Sequence, residues 1–194
     1  MIRRKFVIAS IGAGTSILAG CLDGFSGNGN SSSGPADTQF AGLDCPEIRK
    51  DVQNTICYHI DDGTQSFYIK PSQETLGPGT ANEVQQIEFE LINDSENNIS
   101  FDPTGWKLFQ QKNQWDPYLT PEPELISTAL EPGESYSWRL DTNGTPYQGT
   151  LEDPEKEFDP GISESGKYAF SMVVDDNKTG ESIETVAIFE YNNK

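Results

Sequence analysis

The groups able to do chemistry in this chain are few in kind: three cysteines, one histidine and 31 carboxylates. Cys45, Cys57 and His59 fall close together, so a disulfide, a pair of thiols or a metal site could be built from them. A metal site needs ligands beyond this single histidine. In a chain exported to an oxidising compartment, Cys45 and Cys57 read as a disulfide, with two reduced buried thiols as the alternative. Closing a loop of this size stabilises by about 3 kcal/mol. His59 could serve as a base, but it alternates with Tyr58 and Ile60 and is predicted as a solvent-facing strand residue. There is no Gly-x-Ser-x-Gly elbow and no phosphate loop with its lysine. Carboxylates are so numerous that a neighbouring pair does not signal catalysis. The expectation is therefore no catalytic residue, no cofactor and no dedicated metal site. Asp61 with Asp62, or Asp175 with Asp176 and Asn177, offer oxygens for calcium, yet both groups lack a spaced ligand ladder and suit turns. Asn30, Asn93, Asn98, Asn143 and Asn177 each open an Asn-x-Ser/Thr pattern and are candidate glycosylation sites; the last four fall in predicted turns. Trp115, Tyr118 and Tyr147 sit in polar, proline-rich stretches. They are candidate contact-loop aromatics for a protein partner or a cell-surface glycan, or else fold back to cover the domain.

These groups must be delivered and positioned, and the N-terminus says where. Arg3, Arg4 and Lys5 precede an apolar run too short to span a bilayer, the pattern of a signal peptide. Leu18-Ala19-Gly20-Cys21 resembles a lipobox, which implies lipid on Cys21 and removal of residues 1–20. Arg3-Arg4-Lys5-Phe6-Val7 resembles a twin-arginine signal, which implies export of an already folded protein. Residues 21–42 are rich in Gly, Ser and Asn without a hydrophobic period, and are predicted to form a flexible tether. The mature chain would keep 10 basic and all 31 acidic side chains, a net charge of −21. Such a surface repels nucleic acid and anionic headgroups, so the lipid is the expected membrane contact. Its self-repulsion fades at molar salt, where the screening length is about 3 Å. The acidic, lysine-poor surface and the two N-terminal motifs together resemble secreted lipoproteins of halophilic archaea. That resemblance implies the extracellular face of the cell membrane.

Hydrophobic residues make up only 34% of the chain, but they cluster in alternating runs, so a core is expected. A cysteine-bridged segment over 43–63 should hold one or two helical turns at 47–53 and a strand at 55–60. Residues 64–194 should then form the main domain. Strands are predicted at 66–70, 84–92, 99–101, 106–109, 136–140, 167–174 and 183–191, and residues 115–123 are predicted to be irregular. The clearest is 84–92, where Ile87, Phe89 and Leu91 alternate with Gln86, Glu88 and Glu90. One apolar and one carboxylate face suit a half-buried antiparallel sheet. Residues 141–161 are predicted to be a long loop. Seven or eight short strands at this spacing give an all-β sandwich.

Several motifs resemble those of immunoglobulin-like domains. Trp106 stands where the third strand of that fold buries a tryptophan, and Glu164-Ser165-Gly166-Lys167-Tyr168-Ala169-Phe170 resembles the corner before the sixth strand. Phe170 replaces the core cysteine and Phe89 occupies the matching region of the second strand. An apolar contact is therefore expected in place of the inter-sheet disulfide. The pattern over residues 64–191 resembles bacterial-type immunoglobulin-like domains of haloarchaeal secreted proteins. It implies a lipid-anchored binding or structural module without catalysis. The Asn93 turn, Trp115 and Leu130-Glu131-Pro132-Gly133-Glu134 also resemble an immunoglobulin-like family of bacterial proteinase inhibitors, which implies inhibition as the alternative.

Overall fold

The computed structural model describes residues 38–50, 52, 54–60, 65–78, 85–122, 124, 126–141, 157–158 and 161–194. Arg3, Arg4, Cys21, Asn30, Asp61, Asp62, Asn143 and Tyr147 lie outside them. Twelve strands form among the described residues: β1 (Asn54–Cys57), β2 (Phe67–Pro71), β3 (Thr75–Leu76), β4 (Gln86–Asn93), β5 (Ile99–Phe101), β6 (Lys107–Gln111), β7 (Trp115–Leu119), β8 (Thr128–Leu130), β9 (Ser135–Asp141), β10 (Glu157–Phe158), β11 (Gly166–Asp176) and β12 (Ser182–Tyr191). They make two sheets. Sheet A runs β1-β12-β11-β5-β8; farther along β11, β6 takes the place of β5 and pairs in turn with β7, while β3 adds to β12. Sheet B runs β10-β9-β4-β2.

The alternation read in the sequence is what joins the two sheets. Ile87, Phe89 and Leu91 of β4 point inward with Ile69 of β2 and Trp138 and Leu140 of β9. They meet Tyr168, Phe170, Met172 and Val174 of β11 and Ala187 and Phe189 of β12. Phe89 stacks on Phe170 across the interface, ring centroids 4.4 Å apart and 6° from parallel. Trp106 and Trp138 pack on the same ring at 5.8 and 5.5 Å. The apolar contact thus stands where a cysteine pair would. Tyr168 closes the expected corner: its hydroxyl donates to the Glu164 carbonyl at 2.8 Å and accepts from Gln110 Nε2 at 3.1 Å. Burial pushes that hydroxyl well above the usual tyrosine range. The fold is an immunoglobulin-like β-sandwich.

Six sequence expectations need correction. Residues 38–42, predicted as the end of the tether, pack on the domain, and Phe40 is 2% exposed. Residues 47–50 and 52 hold no helix; the chain there is drawn across sheet A by side-chain anchors instead. The strand expected at 55–60 stops at Cys57 and curls into a 3-10 turn, Tyr58–Ile60. That turn buries His59, 4% exposed, rather than leaving it in solvent. Trp115–Leu119 is a strand and not irregular, because Pro117 sits on an edge, where its missing N–H breaks no ladder. The long loop after Asp141 contains β10, which pairs in parallel with β9.

Candidate functional site

Sheet A is covered on both faces, and the cover is the N-terminal segment. β11 and β12 turn Ala169, Ser171, Glu184, Val186 and Ile188 away from the sandwich core, toward residues 38–57. Phe40, Leu43, Cys45, Ile48 and Cys57 close over Ala169, Val186, Ile188 and Phe109. We call this segment the strap. Strands buried on both sides lose their alternation, which is why 167–174 and 183–191 read as nearly continuous apolar runs.

Three devices hold the strap. Cys45 and Cys57 form the disulfide expected from the sequence, with Cα atoms 5.6 Å apart. β1 adds to the edge of sheet A in parallel with β12, from Asn54 opposite Ile183 to Cys57 opposite Val186. The third device is a buried ion pair that sequence reasoning missed. Arg49 Nε lies 3.7 Å from Glu184 Oε1, with the side chains 9% and 0% exposed. Glu184 also accepts from Ser171 Oγ, from Thr55 Oγ1 at 3.3 Å and from the Arg49 backbone N–H at 3.2 Å. The guanidinium donates to the Gly105 carbonyl at 2.8 Å and to Ser171 Oγ at 3.2 Å. Each charge is thus paired and hydrogen-bonded, as its burial demands.

His59 sits beneath the start of the strap. Its Nε2 lies 3.1 Å from the Leu43 carbonyl, and Nδ1 is buried without a hydrogen-bond partner among the described residues. Burial pushes its pKa below the usual imidazole range, partly offset by the Leu43 and Asp44 backbone and the Glu74 charge. Among the described residues, no group of three or more His, Cys, Asp or Glu is placed to hold a metal. Asp175 and Asp176 do turn work: Asp175 Oδ1 accepts from Ser182 Oγ, and Asp176 Oδ1 accepts from the Lys178 N–H. A groove of about 520 Å³ opens beside the disulfide, lined by Glu47, Lys50 and Asn54 among others.

The candidate aromatics and asparagines separate sharply. Trp115 packs at the edge of the apolar cluster under the strap, and Tyr118 against the sandwich core. The Tyr118 ring meets Tyr168 edge-on at 5.4 Å, and its hydroxyl donates to the Gly161 carbonyl at 2.9 Å. Both are half-buried on β7, a strand rather than a loop. Asn93 is fully buried. Its amide donates to the Asn97 and Leu130 carbonyls at 2.9 and 3.0 Å, and its Oδ1 accepts from the Ser95 N–H and hydroxyl. The Asn93 backbone also bonds to Gly133 and Glu134, so this side chain staples the turn after β4 to the turn after β8. Gly133 adopts φ +82 in that turn, which a glycine does without strain. Asn98 and Asn177 are exposed and adjacent, with the Asn177 N–H 3.3 Å from the Asn98 carbonyl.

The outer face of sheet B is open to solvent. Lys70, Gln86, Glu88 and Ser135 are exposed there, with Tyr68, Glu90, Ser137 and Arg139 half-exposed. A groove of about 260 Å³ runs between Lys70, Ser72, Glu88 and Glu90.

No protein-family model and no curated protein sequence matches the chain. Among solved structures, a Bordetella pertussis protein bearing the ApaA name is 10% identical with a TM-score of 0.36, over 66% of this chain and 94% of that one. PapD-like domain 7 of human CEP192, an ASH domain, is 12% identical with a TM-score of 0.32, over 65% of this chain and 84% of that one. At this similarity they imply no activity for this chain.

Proposed function

We propose that this chain is a lipid-anchored, extracellular immunoglobulin-like module that binds or supports a partner at the surface of a halophilic archaeal cell, without catalysis. One observation carries the reading. The point where a tether from Cys21 would enter the fold is the point fixed by a disulfide, a parallel strand and a buried ion pair. A domain held from its N-terminus transmits every tug of the membrane or the partner through that entry. Stapling it to the two central strands keeps the sandwich from peeling.

With one broad face closed by the strap, the outer face of sheet B is the surface left for a partner. Its polar and acidic side chains suit a hydrated contact, made in brine where long-range repulsion is screened. The mechanism is presentation: the lipid fixes the module, the stretch between Cys21 and the strap gives it reach, and sheet B faces outward. The test is Cys21→Ser. The account expects the variant to appear in detergent-free medium while the wild type stays with membranes. A variant retained as firmly as the wild type contradicts it.

A further inference from the structure

Three Asn-x-Ser/Thr patterns lie among the described residues, and the fold treats them very differently. Asn93 has both amide hydrogens and its carbonyl engaged inside the protein. Modifying it would require local unfolding. Asn98 is exposed, but the third residue of its pattern, Ser100, lies within sheet A. It is flanked by Ala129 of β8 on one side and Asp175 of β11 on the other. The Ser100 hydroxyl is committed too, donating to Asn177 Oδ1 at 2.8 Å.

Asn177, Lys178 and Thr179 form the turn between β11 and β12, and all three are exposed. The turn is closed beneath them: the Asp176 N–H bonds to the Glu181 carbonyl at 2.9 Å, and the Gly180 N–H to the Asp176 carbonyl at 2.8 Å. Gly180 holds φ +72 there. Asn177 Nδ2 makes no hydrogen bond among the described residues, while Oδ1 accepts from Ser100 Oγ. Thr179 Oγ1 accepts from the Glu181 N–H, which leaves its own proton free to donate. An enzyme that reads this pattern must touch the asparagine amide and the hydroxyl two residues on. Of these three patterns, the 177–179 turn alone offers both clear of the sheet.

We propose that, of the three patterns among the described residues, Asn177 is a glycan acceptor and Asn98 and Asn93 are not. The donor would be a sugar carried on a lipid phosphate. Asn177 Nδ2 forms a bond to the anomeric carbon and gives up one proton. The bond from that carbon to the phosphate oxygen breaks, and the phosphate leaves with the electron pair. The inference rests on the extracellular reading above, and in particular on export of a folded chain, since an unfolded one would expose all three patterns.

The test is peptide mass mapping of the full chain recovered from its native membranes, with surface exposure checked by protease treatment of intact cells. The expected result is sugar mass on the Asn177 peptide and none on the Asn98 or Asn93 peptides. Asn177→Gln and Thr179→Val should each abolish the modified peptide, and Asn98→Gln should leave it unchanged. Thr179→Val keeps the Ser100–Asn177 hydrogen bond, so it separates loss of the pattern from loss of the turn. Surface-exposed protein with bare Asn177, or with sugar on Asn98 or Asn93, overturns the proposal alone. Protein that never reaches the surface overturns the reading beneath it.

Discussion

Arg49→Met is the most informative single perturbation of the strap. Methionine keeps much of the side-chain volume but removes the charge, the bond to the Gly105 carbonyl and the bond to Ser171 Oγ. It leaves Glu184, 0% exposed, without its counter-charge. Removing one partner of a buried pair costs about 3–5 kcal/mol. Here Ser171, Thr55 and the Arg49 backbone N–H still donate to the carboxylate, which places the loss near the lower end. For a domain of this size about 3 kcal/mol corresponds to roughly 6–12 °C in Tm. The assay is thermal and urea unfolding of the mature chain carrying Cys21→Ser, at one fixed high salt concentration. Arg49→Lys, which keeps the charge but not the planar fork, should fall between wild type and methionine. Arg49→Met combined with Glu184→Gln should recover part of the loss, because the neutral amide strands no charge and its oxygen can still accept a hydrogen bond. An Arg49→Met variant within about 0.5 kcal/mol of wild type would behave as an ordinary surface substitution and refute the clamp.

Other outcomes follow from the same geometry. His59 is held neutral by burial, so its folded pKa lies below the unfolded value of about 6.5. Its contribution is complete above that pH and is lost as the solution is acidified toward the folded pKa, at up to about 1.4 kcal/mol per pH unit. Unfolding measured between pH 7 and 5 should show this slope in wild type and not in His59→Gln; equal slopes would contradict the burial argument. Tyr118→Ala removes the edge-on contact with Tyr168 and the bond to Gly161, and should destabilise by about 3 kcal/mol. A melting curve unchanged by that substitution would return Tyr118 to the role of a contact side chain. Stability should climb steadily with sodium or potassium chloride, since a net charge of −21 on the mature chain is progressively screened. A flat response between dilute buffer and molar salt would remove the halophilic argument.

The sandwich was legible because period-2 patterning is a local property. Ile87, Phe89 and Leu91 declare one inward face without reference to any distant residue, and Gly166-Lys167-Tyr168 announces a corner within a few positions. The Phe89–Phe170 contact could be anticipated because Phe170 stands where the immunoglobulin pattern puts a cysteine and Phe89 lies in the matching region of the second strand. The strap was not legible in the same way. Glu184 alternates with Ile183 and Thr185 and looks like one more solvated carboxylate; its burial depends on Arg49, 135 residues earlier. The available signal was indirect. Val186-Ala187-Ile188-Phe189 does not alternate, and a strand that fails to alternate is covered on both faces. The burial of Asn93 was not legible for another reason: an asparagine saturated inside a turn and one exposed on a turn share the same three-residue pattern. Pro117 suggested a broken chain, but on an edge strand proline costs no ladder bond.

The most direct test of the account is the mass of the N-terminal peptide from membrane-purified protein. The account predicts a peptide beginning at Cys21 and carrying added lipid mass, with residues 1–20 gone. An N-terminal peptide that still begins at Met1, with Cys21 unmodified, would contradict it.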